Sequence, residues 1–393
     1  MVKDKLRILL IGEGGHERAY AWKLNQSPRV ELIFVRVRNV DTVRADDYEG
    51  LVKFAQENII DLVALRPEAP LVAGIEGYFR DAKIPCFGPS KGAARIEGSK
   101  TWAKIFMTRH HIPTAAYRDF SSYEEAAEYV QTVDHKVALR HMMKDKVFGD
   151  AGDSVVIEEF LVGQELSVSL ICDGKSFALF PIAQDHKAAF DGDKGPNTGG
   201  MGCYATTPQF SQADIENIRE NILEPTISGM QEEGLPFVGA LCLNLMMTNE
   251  GAKVLEYNAR FSDPEAQAIL PLLNTDLAGL MIACTEGRLG EVKIENKRQF
   301  CAVVIVASPG YPGTYPTGAE ISMNAVEDST IIFHAGTVMK DRLRTSGGRV
   351  IAIASTADTL EDAVVKAYKG VDAVHFDGKY YRRDIAHRVL STC

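Results

Sequence analysis

The sequence has no run of apolar residues approaching the roughly 18 that a membrane helix requires. Its seven cysteines (86, 172, 203, 242, 284, 301 and 393) form no CxxC pair. It has no excess of basic charge, no internal repeat and no low-complexity segment. The opening Met1–Ile11 lacks the long apolar segment and cleavage site of a secretory signal. An odd, dispersed set of cysteines reads as reduced cytosolic thiols, most of them small core residues, so a cytoplasmic protein without a cysteine-built metal cluster is expected. A formal net charge of -10 argues against non-specific nucleic-acid binding, which needs a basic face. It leaves open local anion sites formed by loops. What is present, 393 residues with 46% hydrophobic and 24% charged side chains, suits a soluble protein with a large core and about two to four domains.

Strand-like runs at Leu6–Ile11, Leu32–Val37 and Ile60–Leu65 alternate with helical patterns at Glu17–Asn25, Leu51–Gln56 and Leu71–Lys83. This alternation predicts a parallel sheet with helices on both faces, ending near Ser90. Two helical patterns broken at Pro113 follow, then a helix from Ser122 to Val133 with Ser121 and Ser122 as cap candidates. Ser154–Phe160 and Glu165–Ile171 alternate like paired strands. Ser211–Glu233 reads as a long amphipathic helix and Ala252–Asn258 as a strand. In the last hundred residues Gln299–Ala307, Ile331–Ala335, Val350–Ala354 and Tyr380–Asp384 look like strands around a helix at Thr359–Tyr368. These predict a separate α+β unit with antiparallel pairing.

Residues 184–202 carry the densest signal. Five glycines (192, 195, 199, 200 and 202) and Pro196 lie among charged and hydrogen-bonding side chains, a density expected to exclude both helix and strand. Such a loop offers backbone N–H groups to an anionic ligand. Within it His186 reads as a functional candidate, though no partner histidine makes it a metal ligand. Glu256 and Asn258, two apart on a predicted strand, point to one face. Their hard oxygen donors suit Mg²⁺ about as well as a solvated strand face, and Arg260 beside them can clamp a carboxylate or phosphate. Glu158 and Glu159 are adjacent on a strand, so at most one faces a shared pocket. Gly12–Gly15, between strand and helix, forms a weak anion-site signal, and Arg66–Leu71 occupies the equivalent end of a later strand. Lys100 and Lys104 share one helix face, read on spacing alone as a solvated basic face.

Taken together the motifs resemble the phosphoribosylamine–glycine ligases of the ATP-grasp superfamily. The resemblance rests on Ile11-Gly-Glu-Gly-Gly, Pro67-Glu-Ala-Pro-Leu-Val-Ala-Gly, Phe87-Gly-Pro-Ser-Lys, Glu97-Gly-Ser-Lys and Val156-Ile-Glu-Glu-Phe-Leu. It continues in Gln184-Asp-His-Lys, Gly192-Asp-Lys-Gly-Pro-Asn-Thr-Gly-Gly-Met-Gly, Arg260-Phe-Ser-Asp-Pro-Glu, Thr345-Ser-Gly-Gly-Arg-Val and Tyr381-Arg-Arg-Asp-Ile. It implies an α/β and α+β multidomain chain: a Rossmann-like N-terminal parallel sheet at 1–91, an ATP-grasp region at 92–298 with a lid remnant at about 112–160, and a C-terminal α+β domain at 299–393. The implied reaction joins glycine to 5-phosphoribosylamine with ATP and Mg²⁺ or Mn²⁺, through a glycyl phosphate, in a cytoplasmic monomer or homodimer of purine synthesis. The implied metal ligands are Glu256 and Asn258. Nucleotide would meet Lys104, Glu158, Glu159, Phe160 and Glu165. Arg260, Lys187 and Asp185 would be catalytic. Gly14, Gly15, Glu68, Asn197, Thr198, Gly199, Gly200 and Met201 would bind substrate.

The chain departs from the family pattern at definite places. The glycine-rich lid segment between the equivalents of Val133 and Phe148 is replaced by Asp134–Lys146 alone. Val37–Thr42 lacks the glycines of a family turn, Gly14-Gly-His-Glu-Arg18 exchanges an arginine and a histidine, Arg66 replaces a glycine, Ala188 an arginine and Ser262 a glycine. These departures leave a second reading open: a catalytically impaired ATP-grasp homologue that binds nucleotide or a partner protein without turnover.

Overall fold

The computed structural model describes residues 5–12, 14–36, 46–65, 68–132, 139–145 and 149–390. The Val37–Thr42 turn, Glu13, Arg66, Pro67 and all of the shortened lid segment except 139–145 lie outside the described residues.

The N-terminal strands Leu6–Ile11, Val30–Arg36, Leu62–Leu65 and Cys86–Phe87 form one parallel sheet, with Leu6–Ile11 between the second and third. Alternation along these strands feeds two separate cores. Leu6, Ile8, Leu10, Leu62 and Ala64 pack on one side, while Leu9, Ile11, Val63 and Leu65 pack on the other. A sheet buried on both faces needs such continuous apolar strands, as the sequence pattern anticipated. The expected helix at Leu71–Lys83 is two helices, Glu68–Ala73 and Ile75–Asp81, because Gly74 takes φ 95° between them.

A second, nine-stranded sheet carries the site. Its order is Gly251–Asn258, Val238–Thr248, Gln164–Asp173, Ala183–Asp185, Gly202–Ala205, Phe300–Ala307, Arg349–Ala357 and Thr330–His334, with Phe177–Leu179 added beside Gln164–Asp173. Gly202–Ala205 pairs antiparallel with Phe300–Ala307, so the sheet runs unbroken across position 299. Leu166, Val168 and Leu170 face Phe106, Ile222 and Ile227, whereas Ile171 faces Phe261, Ile269 and Leu280. Val350, Ile351 and Ile353 pack beneath the helix Leu360–Asp372. Ser122 Oγ accepts from the Glu125 N–H and starts the helix Tyr123–Thr132.

Three expectations fail locally. Val155–Glu158 pairs antiparallel with Tyr117–Phe120 in a separate sheet, not with Gln164–Asp173. The glycine segment does contain a strand: Lys194–Asn197 pairs antiparallel with Ala188–Phe190 as an isolated hairpin. The pairing is irregular between Ala188 and Phe190, which leaves Gly195 (φ 85°) and Pro196 out of the regular ladder. The Phe190 ring covers Gly195, where a Cβ would come within 2.4 Å of it. Tyr380–Asp384 is not a strand. Only Tyr380 bridges to Ala307, because Arg382 turns inward to bind charge.

Gly202 links the hairpin to the sheet at φ 158°, and a Cβ there would lie 2.5 Å from Ile385 Cδ1 and 2.7 Å from Val303 O. Gly202→Ala is expected to cost about 2 kcal/mol, as overpacking against backbone does. Urea unfolding checks this, and unchanged stability would refute it.

Candidate active site

The helix Lys100–Arg109 starts at Ser99, whose Oγ accepts from the Trp102 N–H. It buries Ala103, Phe106 and Met107 against the large sheet. Lys100 and Lys104 share a face, but not a solvated one. Lys104 is wholly buried; its Nζ donates to Thr114 Oγ1 (2.6 Å) and the Ala115 carbonyl (3.3 Å) and pairs with Glu158 Oε1. Burial lowers its pKa, helped by Lys100 and opposed by Glu158. Lys100 Nζ lies 3.1 Å from Glu158 Oε2 and donates to the Leu255 carbonyl, with its side chain 38% exposed. Both ammonium groups therefore meet on one carboxylate at the end of the strand Val155–Glu158.

Glu159 is the first residue past that strand. Its N–H donates to the Ala116 carbonyl and its carboxylate accepts from the Ala116 N–H. Phe160 and Val162 are 73% and 77% exposed around the buried Leu161. Gly163 then brings the chain against Met247, where a Cβ would lie 1.9 Å from the Met247 carbonyl oxygen. Glu165 Oε2 pairs with Lys187 Nζ at 3.2 Å.

On the strand Gly251–Asn258, Glu256 sits opposite Asn244 and Asn258 opposite Cys242, past a register shift in which Leu255 is the extra residue on this strand. Glu256 Oε1 accepts from Asn244 Nδ2 at 2.7 Å. Asn258 Oδ1 accepts from Arg260 Nη2 at 3.2 Å, and the same Nη2 lies 3.0 Å from Glu97 Oε1. Glu97 Oε2 also accepts from the Ala259 N–H. Ser167 Oγ lies 3.0 Å from Asn244 Oδ1 and 2.7 Å from Glu265 Oε1. A hydroxyl has one proton for these two oxygens, so it donates to one of them at a time; burial pushes the Glu265 carboxyl up, against the hydrogen bond from Ser167. Asp185 is raised as well, by burial and by the charge of Glu265, against Lys187 and Arg349. Burial works to lower Lys187, but Glu165, Glu256 and Asp185 outweigh it and raise the group.

The turn after the hairpin is held from several sides. The Thr198 N–H and Oγ1 both donate to the Lys187 carbonyl, and Gly200 N–H donates to Thr198 Oγ1. Gly199 N–H donates to the Tyr311 hydroxyl at 3.2 Å. Arg349 Nη1 donates to the carbonyls of Gly199 (2.7 Å) and Asp263 (3.1 Å) and pairs with Asp263 Oδ1 at 3.0 Å. Gly200, at φ 107°, lies where a Cβ would meet Asp185 Oδ1 at 2.7 Å. Asn197 is exposed, whereas Met201 is wholly buried and bonds through its backbone to His186 and Ile305. His186 is not a free functional group in this arrangement. It is buried beside Tyr204 and His387 and accepts from the Ala386 N–H through Nε2, and burial pushes its pKa down to about 3.

Beside this turn opens a cavity of about 460 Å³, lined by Gly12, Gly14, Gly15, His16, Arg18, Asp263, Tyr311, Gly336, Thr337, Ser346 and Arg349 among others. Three distant segments meet there. His16 Nδ1 lies 2.8 Å from Asp263 Oδ2 and its Nε2 lies 3.0 Å from Glu17 Oε1. Glu68, at the start of the helix Glu68–Ala73, is exposed and is not among the cavity's lining residues.

Profiles of phosphoribosylglycinamide synthetase match almost the whole chain: the N domain at residues 6–97, the ATP-grasp (A) domain at 98–139 and 133–266, and the C domain at 301–388. The chain belongs to the phosphoribosylglycinamide synthetase family. It is 48% identical to the bifunctional purine biosynthetic protein ADE1 of Schizosaccharomyces pombe, covering 98% of this chain and 54% of that one. It is 40% identical to a phosphoribosylamine–glycine ligase of Halalkalibacterium halodurans over 98% of each. The crystal structure of the Thermotoga maritima phosphoribosylamine–glycine ligase superposes with TM-score 0.79 at 30% identity, over 97% of this chain and all of that one. The chain thus spans about half the length of the bifunctional relatives it matches. The ATP-grasp profile matches in two segments that meet at 133–139, where the sequence lacks the glycine-rich segment. The alignment to the S. pombe protein runs over 423 positions, more than the 393 residues of this chain, so that relative carries residues absent here. Among the described residues no helix is long and apolar enough to cross a membrane.

Sequence reasoning passed over Glu97, Tyr311, Arg349 and Arg382 in this synthetase-family site. Glu97, Arg349 and Arg382 lie in motifs that carry the family resemblance and Tyr311 does not, but only the fold shows which opposite charge or backbone group each meets. Burial works to raise the Asp263 carboxyl, yet Arg349, His16 and Gln267 hold it well below the usual carboxylate range. A depressed carboxyl stabilises the fold fully above its unfolded value near pH 4, and that contribution disappears as pH falls through the folded value. Asp263→Asn is therefore expected to cost about 3 kcal/mol at neutral pH and to flatten the acid limb of stability. Unfolding measured between neutral pH and acid checks this, and an unchanged acid limb would refute it.

Proposed function

We propose that this chain joins glycine to 5-phosphoribosylamine at the expense of ATP, giving glycinamide ribonucleotide, ADP and phosphate through a glycyl phosphate. The observation that carries this reading is the convergence of three elements in a chain of this family: the Glu256–Asn258 pair, the glycine turn held by Arg349, and the 460 Å³ cavity beside it. Further support comes from the ligase of similar length, 40% identical over its full extent. The reading carries with it a cytoplasmic monomer or homodimer acting on small molecules.

Among the described residues no three His, Cys, Asp or Glu side chains gather to hold a metal. One carboxylate and one amide oxygen, from Glu256 and Asn258, suit Mg²⁺ or Mn²⁺, which keep waters and take phosphate oxygens as further ligands. When bound, such an ion neutralises phosphate charge. Lys104, the lysine expected to reach the nucleotide phosphates, is wholly buried against Glu158, and the partly exposed Lys100 on the same carboxylate would meet a phosphate beside it. The exposed Phe160 and the backbone at 159–162 offer an apolar and hydrogen-bonding wall for adenine, with Glu165 near the ribose. Arg260, held by Glu97, can clamp the glycine carboxylate or the acyl phosphate. Lys187 remains charged among its carboxylates and can stabilise the oxyanion of the attacked carbonyl. The N–H groups of the 198–200 turn, with Asn197 and the backbone of Met201, border the glycine side. Gly14 and Gly15, at a helix N-terminus, face the cavity for the sugar phosphate, with Arg18 beside them. Asp185 orders the loop through Gly200 and the His186 N–H, and Glu68 lies farther out on the same domain. Phosphoryl transfer depends on positioning and charge neutralisation more than on an acid–base residue, and this set of groups supplies both.

ADP release is expected to require glycine and phosphoribosylamine together. Glu256→Ala is expected to lower kcat by about a hundredfold or more, the scale of losing a charge-stabilising group. A coupled ADP assay at saturating substrates checks both. Mg²⁺-dependent nucleotide binding without any ADP formation would establish the non-catalytic homologue instead.

A further inference from the structure

The glycine hairpin has its own anchor, separate from the Arg349 contacts to the turn after it. Its tip, Asp191-Gly192-Asp193, is tied to residues 380–388 by charge and backbone together. Arg382 is wholly buried. Its Nε and Nη2 bind both oxygens of Asp384, at 2.8 and 2.7 Å, and its Nη1 reaches Asp193 Oδ1 (3.0 Å) and the Ala188 carbonyl (3.1 Å). Arg388 takes the same Asp193 through two nitrogens, at 3.0 and 2.9 Å, and donates its remaining amino group to the Asp185 carbonyl. Gly192 N–H donates to Asp384 Oδ2, Arg383 N–H to Asp191 Oδ1, and the Tyr380 hydroxyl to the Ala189 carbonyl. His387 Nε2 lies 3.3 Å from Asp193 Oδ2.

A buried guanidinium is costly to desolvate, and forked pairing offsets that cost only when the geometry is held. A surface hairpin of ten residues does not need such an anchor to fold. What the anchor fixes is the start and the tip of the strand pair, whose second strand leads directly into Thr198–Gly200. Asp193 itself sits at φ 55°, a conformation in which Asp and Asn are enriched among non-glycine residues, so its side chain is aimed at the two arginines by the turn.

We infer that Arg382 and Arg388, acting through Asp193, are positioning residues that set the glycine turn for the acceptor of the phosphoryl group. The inference rests on the ligase reading for its substrate, though the anchor is tested separately below. Asp193→Asn keeps the backbone conformation and removes the charge, and Arg388→Gln removes one of the two clamps. Each is expected to raise KM for glycine about tenfold, the scale of losing a charged hydrogen bond, while the Kd for nucleotide measured by calorimetry stays within about twofold. An unchanged KM for glycine, or equal losses for glycine and nucleotide, would overturn the inference. Trypsin cleavage after the exposed Lys194 supplies a readout independent of turnover. Faster cleavage in Asp193→Asn than in the unaltered protein upholds the anchor even if the unaltered protein makes no ADP, which would refute only the ligase reading. Equal cleavage rates would refute the anchor whatever the activity.

Discussion

Arg349 faces the Asp263 carboxylate and two backbone carbonyls at once, with most of its guanidinium out of solvent. Removing one partner of such a pair leaves an uncompensated charge in a low-dielectric setting, so the two groups can only be satisfied together. Their pairing brings the 199–200 turn, the loop after the strand Gly251–Asn258 and the strand Arg349–Ala357 to one point. His16 adds the N-terminal domain to that point through the second oxygen of Asp263. The cavity and the glycine turn consequently share a wall, and neither can be displaced without the other.

The charges around this wall are already balanced before any ligand arrives. Lys187 is surrounded by Glu165, Glu256 and Asp185, and two lysines share Glu158. Burial pushes the Asp185 and Glu265 carboxyls up, and Lys187 opposes the shift at both. The cations here are thus already paired, rather than isolated charges whose desolvation would destabilise the fold.

The parallel N-terminal sheet was legible because apolar residues fill both faces of Leu6–Ile11, and the strand Gly251–Asn258 because Glu256 and Asn258 keep period two. The hairpin at 188–197 was not legible. Glycine and proline normally end strands, and nothing in the local sequence reveals that Asp191 and Asp193 will be held by arginines almost two hundred residues away. Tyr380–Asp384 was misread for the reciprocal reason: its alternation looks like a strand, but Arg382 is inward because of a charge partner rather than an apolar face. Lys100 and Lys104 were correctly placed on one helix face, yet spacing alone could not show Glu158 waiting opposite. Side chains whose role is set by a distant opposite charge are the ones that a periodicity argument leaves out.

The most direct measurement is amide hydrogen exchange across residues 184–202 in the ligand-free protein. If the turn is preformed by its buried partners, the amides of Thr198, Gly199, Gly200 and Met201 exchange nearly as slowly as those of the strand Val238–Thr248. Exchange of those four amides at the rate of an unstructured peptide would contradict the account.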